Sequence, residues 1–235
     1  KKTMQPIEEA VDAQNRFTAD ASHELRTPLT AMKTEIEVSL RDKNFDAKEA
    51  RALLSSNLEE IEKLETLSNA LLKLAKSQEE VAEDFEMVSL KNVAEEAMQK
   101  VVKVAKLKKI EIVERGNDVS VAGDKQSLVE MCLIFLDNAI KYSEAGSKII
   151  IKRKIDKNSV ILSIKDNGIG IKNSDLPYIF NRFYRADNSR NKSNVPGYGL
   201  GLSIAKSIAD MHGAKIMVFS KIGGGTTFQI KFQIK

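Results

Sequence analysis

The sequence predicts a two-part chain, a long α-helical hairpin followed by an α+β sandwich of helices on a mixed sheet. Three observations predict it. Residues 1–80 contain no glycine and only two prolines, Pro6 and Pro28, while all twelve glycines lie beyond residue 86. Within residues 1–80, aliphatic side chains recur at three- and four-residue steps, the spacing of one helical face. Beyond residue 86, short β-branched runs alternate with helical stretches.

The first stripe runs Val11, Phe17, Ala21, Leu25, Met32, Ile36, Leu40, and the second Leu54, Leu58, Ile61, Leu64 or Leu67, Leu71, Leu74. Between them, Arg41 to Asp46 form a short polar turn. A hairpin of two such helices carries more apolar face than one partner covers. Dimerisation into a four-helix bundle answers this, and a monomeric hairpin docked on the second domain is the alternative. The polar, acidic segment Ser77–Asp84 reads as a linker, dividing a helical domain at 1–80 from a second domain at 86–235. In that second domain, Ile149–Ile151, Val160–Ile164 and Phe228–Phe232 read as strands. Helices are expected near 90–105, 124–141 and 199–211, which gives helices layered on a mixed sheet.

With 42% hydrophobic residues the chain can bury a core, and its charged residues, 30% of the total, have both signs interspersed. A net charge of +4, no tryptophan and no basic stripe interleaved with aromatics argue against nucleic-acid binding. The single cysteine, Cys132, excludes an intramolecular disulfide and sits in an apolar run, where it reads as a small core residue. No run approaches the roughly 18 apolar residues of a membrane span. The expectation is therefore no membrane contact by this fragment, although it opens on Lys1 and its parent could be anchored upstream.

His23 lies in Phe17–Leu29, beside the stripe positions Ala21 and Leu25, so its ring belongs at the edge of the apolar face within reach of water. Pro28 lacks an N–H and crowds the carbonyl of Glu24, which predicts a bend just after His23. Neighbouring Asp20 and Glu24 could hold one ring nitrogen protonated while the other keeps a lone pair for attack. By local setting alone a surface polar side chain is the better reading. His212, before Gly213 at the end of a helical run, reads as a C-terminal capping residue.

Asp166-Asn167-Gly168-Ile169-Gly170 follows an apolar strand. A carboxylate there can accept a hydrogen bond from an exocyclic amine such as that of adenine. Gly197-Tyr198-Gly199-Leu200-Gly201 opens a helix whose first N–H groups can cradle phosphate. That loop follows a polar segment, Asp187–Asn194, rather than a strand, which counts against a dinucleotide-binding unit, and no P-loop sequence is present. Asn138 offers an uncharged oxygen to Mg²⁺, and Lys141, three residues on, can neutralise phosphate. In isolation the same residues read as an ordinary helix C-terminus.

Taken in order, these segments resemble the sensor histidine kinases. Ser22-His23-Glu24-Leu25-Arg26-Thr27-Pro28-Leu29 is similar to that family's H box. Asn138, Lys141 and Tyr142 match the N box, and Asp166, Gly168 and Gly170 the adenine-binding box. Phe180–Arg185 match the F box, Gly197–Gly201 the next glycine box, and Gly223–Phe228 the last. The resemblance implies a helical hairpin followed by an ATP-binding domain of the histidine kinase and gyrase type. It implies that His23 takes phosphate from Mg-ATP and passes it to an aspartate of a response regulator receiver domain. Glu24 would assist proton transfer, and Thr27 would position water when the enzyme dephosphorylates its partner. Nucleotide contacts would come from Asn138, Lys141, Tyr142, Asp166, Gly168, Gly170, Arg185, Gly197, Gly199, Leu200, Gly201, Thr226 and Thr227, with Asn138 on the metal and residues 185–197 forming a lid. A homodimer in the cytoplasmic portion of a membrane-anchored sensor is the implied setting.

One position departs from the family pattern. Ile134 stands where the N box usually has a second asparagine, and an isoleucine cannot ligate Mg²⁺. This motivates a second reading, a weak or inactive kinase acting as a dimeric scaffold or mainly as a phosphatase. A gyrase-like ATPase motor is disfavoured by the helical hairpin with its H box.

Overall fold

The computed structural model describes residues 5–42, 45–76, 85–186 and 197–233, with side chains in the first helix from Gln14 onward. The expected linker at 77–84 and the polar segment at 187–194 lie outside the described residues. The chain divides into two compact units, Lys1–Lys73 and Leu74–Lys235.

The first unit is built on α1, Gln5–Arg41, and α2, Ala47–Lys76. Helix α1 continues through Pro28, whose ring is buried. A capping box starts α2: Asp46 Oδ1 accepts from the N–H groups of Lys48 and Glu49, both at 2.8 Å, and Glu49 Oε2 accepts from Asp46 N at 3.0 Å. Burial splits the expected α2 stripe in two. Leu53, Asn57, Leu64, Leu67 and Leu71 are shielded, whereas Leu54 (68% exposed), Leu58 and Ile61 face solvent. On α1, Leu40 is 81% exposed and Ile36 is also open. Three- and four-residue spacing allows either of two adjacent lines around a helix, so periodicity alone could not tell the inner line from the outer one.

The second unit follows the order β1 (Glu86–Ser89), α3 (Leu90–Leu107), β2 (Glu111–Gly116), β3 (Ser120–Gly123), α4 (Lys125–Tyr142), β4 (Lys148–Asp156), β5 (Ser159–Lys165), α5 (Gly201–Met211), β6 (Lys215–Lys221) and β7 (Gly225–Gln233). Five strands form one sheet in the order β2-β4-β5-β7-β6, and β1 and β3 form a separate pair. Only β2 and β4 run parallel in the large sheet, so it is mixed, as expected. Helix α4 packs between α3 and α5 and against β4 and β5. Its buried side Leu128, Met131, Cys132, Phe135, Leu136 and Ala139 fills the core, where the rings of Phe135 and Phe228 stack 4.7 Å apart. Complete burial pushes the Cys132 thiol up to about 12, so it is inert packing. Sequence reading placed the three helices and β4, β5 and β7, but not β1, β2, β3 or β6.

Candidate functional site

In the first unit His23, Glu24 and Thr27 are all exposed on α1. Thr27 Oγ1 donates to the His23 carbonyl at 3.2 Å, which places it one turn on, as the motif spacing implies. Among the described residues the His23 imidazole makes no hydrogen bond, either to Asp20 or to Glu24. Adjacent helical positions project about 100° apart, so Glu24 cannot orient the ring from a relaxed rotamer.

The second unit gathers its candidates around the C-terminal half of α4. Asp166 is 5% exposed, and its Oδ1 accepts from Gly168 N at 2.8 Å and Thr226 N at 3.0 Å. Burial raises the carboxyl above its ordinary range, and those two N–H groups oppose the rise. With Oδ1 used, and no hydrogen bond to Oδ2 among the described residues, the second oxygen is left to accept from a ligand. The glycines around it are sterically required. A Cβ on Gly168 would lie 2.5 Å from Tyr142 O, and one on Gly170 (φ +72°) would lie 2.0 Å from Lys221 O. Ile169 N donates to Tyr142 O at 3.2 Å, tying this turn to the end of α4.

The start of α5 also meets α4. The helix begins at Gly201, with Leu200 as N-cap and no side chain capping it, so its first N–H groups are available to an anion. Neighbouring positions identify what surrounds the loop. A Cβ on Gly197 would come within 3.9 Å of Lys141 Nζ, and one on Gly199 within 2.7 Å of Phe183 C and Tyr184 O. Phe183 itself has φ +61°, a strained conformation for a bulky residue, in the segment that ends at Arg185. On α4, Lys141 and Ile134 are the residues that meet this loop; Asn138, one turn after Ile134, is half-buried, and its side-chain amide has no hydrogen-bond partner among the described residues. Thr226 is buried beside Asp166, but Thr227 alternates to the other face of β7, so these two neighbours are not brought to one site.

Residues 13–80 match the family model "His Kinase A (phospho-acceptor) domain", and residues 123–235 match "Histidine kinase-, DNA gyrase B-, and HSP90-like ATPase". The signal transduction histidine-protein kinase ArlS of Staphylococcus aureus (strain USA300) is 33% identical over 230 residues, covering 97% of this chain. The chain belongs to the sensor histidine kinases. It spans 51% of the length of ArlS. Among solved structures, the Acinetobacter baumannii histidine kinase AdeS is similar at TM-score 0.72 and 26% identity, covering 91% of this chain and 98% of its own. Histidine kinase ThkA, solved with the response regulator protein TrrA, shares the fold at TM-score 0.76 and 20% identity, covering 100% of this chain and 66% of its own.

For a histidine kinase of this kind the donor set fits ATP and a lightly held Mg²⁺. Asn138 is the one N-box amide, Ile134 one turn earlier has no donor atom, and no cluster of three His, Cys, Asp or Glu suited to a metal exists among the described residues. A Mg²⁺ ion there would be held mainly by phosphates and water. Sequence reading missed Asp137, whose Oδ2 lies 2.7 Å from Lys141 Nζ. An i, i+4 acid before a lysine was the available signal. It also missed the reach of His212, which caps α5 as expected but additionally accepts from Asp124 N at 3.0 Å through Nε2.

Proposed function

We propose that this chain is a histidine kinase catalytic core in which His23 takes the γ-phosphate of Mg-ATP and passes it to an aspartate of a response regulator. The observation that carries the reading is a pairing within one chain. An exposed, unbonded histidine stands on a helix matching the phospho-acceptor family, and a nucleotide cradle stands in the unit matching the ATPase family.

In this reading Asp166 Oδ2 accepts from the adenine amine, and the buried carboxylate is kept in place by Gly168 and Thr226. Lys141 and Arg185 neutralise phosphate charge, while the uncapped N–H groups at Leu200–Gly201 bind phosphate oxygens. Tyr142, Gly197 and Gly199 shape the walls. Mg²⁺, held by Asn138, would offset charge on the phosphates. A ring nitrogen of His23 attacks the γ-phosphorus, the bond to the bridging oxygen breaks, and ADP leaves. Glu24 takes the proton from the other ring nitrogen. The protein contributes mainly positioning and electrostatics.

The domains are proposed as 1–80 and 86–235, with the hairpin as a homodimerisation element. The exposed aliphatic side chains Leu40 on α1 and Leu54, Leu58 and Ile61 on α2 support this, because a second copy would bury them. The parent is proposed to be a membrane-anchored sensor of which this is the cytoplasmic portion; no described helix is long and apolar enough to cross a membrane. A phosphatase activity on the phosphorylated regulator, with Thr27 positioning water, completes the proposal.

Incubation with γ-labelled ATP and Mg²⁺, followed by addition of receiver domains, tests the reading. Acid-labile label on the chain that moves to a receiver aspartate supports it. Steady ATP hydrolysis with no phosphoprotein would instead indicate an ATPase motor. Ile134 favours one variant of the reading, a slow kinase whose phosphatase activity dominates.

A further inference from the structure

A single ammonium group closes the end of α4 from which the nucleotide residues project. Lys108, just past α3, donates from Nζ to the carbonyls of Ile140 at 2.8 Å, Lys141 at 3.0 Å and Ser143 at 3.3 Å. An ammonium has three donors, and all three are used here. Carbonyls at a helix end lack intrahelical partners and carry the negative end of its dipole. Lys108 also accepts from Gly146 N at 3.0 Å through its own carbonyl, so the loop after α4 is tied to it at both ends.

The capped stretch is the one that touches the candidate site. Tyr142 O, between two of the bonded carbonyls, accepts from Ile169 N in the Asp166 turn, and the Lys141 ammonium faces Gly197. Resting on the ATP reading above, we propose that Lys108 is a positioning residue for nucleotide binding. Its charge fixes the Ile140–Ser143 backbone from which Lys141 and the Asp166 turn are held. It also cancels the negative helix end near which an anionic ligand must bind.

The test measures binding of the non-hydrolysable analogue AMPPNP with Mg²⁺, together with melting temperature and autophosphorylation rate, for the whole chain. Lys108→Met is expected to weaken the analogue about tenfold well below its melting temperature, raising KM for ATP while the maximal rate stays within about twofold. Lys108→Arg, which keeps the cation, stays within about threefold of the unsubstituted chain. Lys106→Met, on the exposed last turn of α3, matches the unsubstituted chain. Lys108→Gln replaces the methionine variant if that one does not fold. A lowered melting temperature with unchanged affinity would make Lys108 a structural cap only and overturn the proposal. So would a fall in maximal rate at unchanged KM. No binding by the unsubstituted chain would overturn the ATP reading itself, and the proposal with it.

Discussion

Asp166 and Thr226 grip each other through two hydrogen bonds: Asp166 N donates to Thr226 O at 2.9 Å, and Thr226 N donates to Asp166 Oδ1 at 3.0 Å. The pair joins the end of β5 to the start of β7 and leaves Asp166 Oδ2 without a hydrogen bond among the described residues.

Asp166→Asn separates the two jobs of this carboxylate. The amide oxygen can still accept from Gly168 N and Thr226 N, so stability is expected to stay within about 1 kcal/mol. The amide nitrogen cannot accept from an adenine amine, so ATP affinity should fall at least tenfold, roughly the worth of a hydrogen bond to a charged group. Calorimetric titration beside thermal melting checks both halves.

Ile134 sits against the start of α5, where a Cβ on Gly201 would lie 3.4 Å from its Cγ2. Asparagine is smaller than isoleucine and fits the same space. Ile134→Asn is predicted to raise initial autophosphorylation about tenfold, the equivalent of about 1.4 kcal/mol in the barrier. An unchanged rate at saturating Mg²⁺ would show that the missing asparagine does not limit the enzyme.

In the proposed site the Asp137–Lys141 ion pair would compete with phosphate for the same ammonium. Both side chains are partly exposed, so the competition is modest. Asp137→Asn is predicted to tighten ATP binding about two- to fivefold, with the larger effect at low salt.

His212 gives the second unit an acid-sensitive joint. Its Nδ1 donates to Ile208 O at 2.7 Å, its Nε2 accepts from Asp124 N, and its ring stacks on Phe85 at 4.7 Å. Burial lowers its pKa below the ordinary 6.5, against the smaller opposing effects of Ile208 O and the Asp124 carboxylate. The unfolded chain therefore takes up a proton near pH 6.5 that the folded chain resists. Stability is present above that pH and is lost as pH falls through it toward the folded value. Asp124 is also held low, but its contribution is lost only below its ordinary 3.8, in a separate window. Melting temperatures between about pH 7.5 and 5.5 should fall for the unsubstituted chain and stay flatter for His212→Ala.

How much of this was legible follows from the range of each interaction. The hairpin, the three core helices and the long inner strands show as periodicity, and the nucleotide boxes show as glycine clusters beside an acid or an asparagine. Strands β1 and β3 are four residues each, too short for alternation to register, and β2 carries charges at Glu111, Glu114 and Arg115. The three Lys108 hydrogen bonds span 32 to 35 residues and the His212–Asp124 bond spans 88. Contacts of that separation leave no local period. Thr226 and Thr227 both fall in the Gly223–Phe228 match to the last glycine box, which a motif reads as one unit, whereas strand alternation sends them to opposite faces.

Only two histidines exist in the chain, and one of them, His212, is partly buried with both ring nitrogens bonded. The most direct measurement is therefore mass-spectrometric mapping of the phosphoryl group after incubation with Mg-ATP at alkaline pH, with His23→Gln in parallel. Phosphate on the peptide containing His23, and none on the His23→Gln chain, is the predicted result. Phosphate persisting in His23→Gln, or found on any other residue, would contradict it.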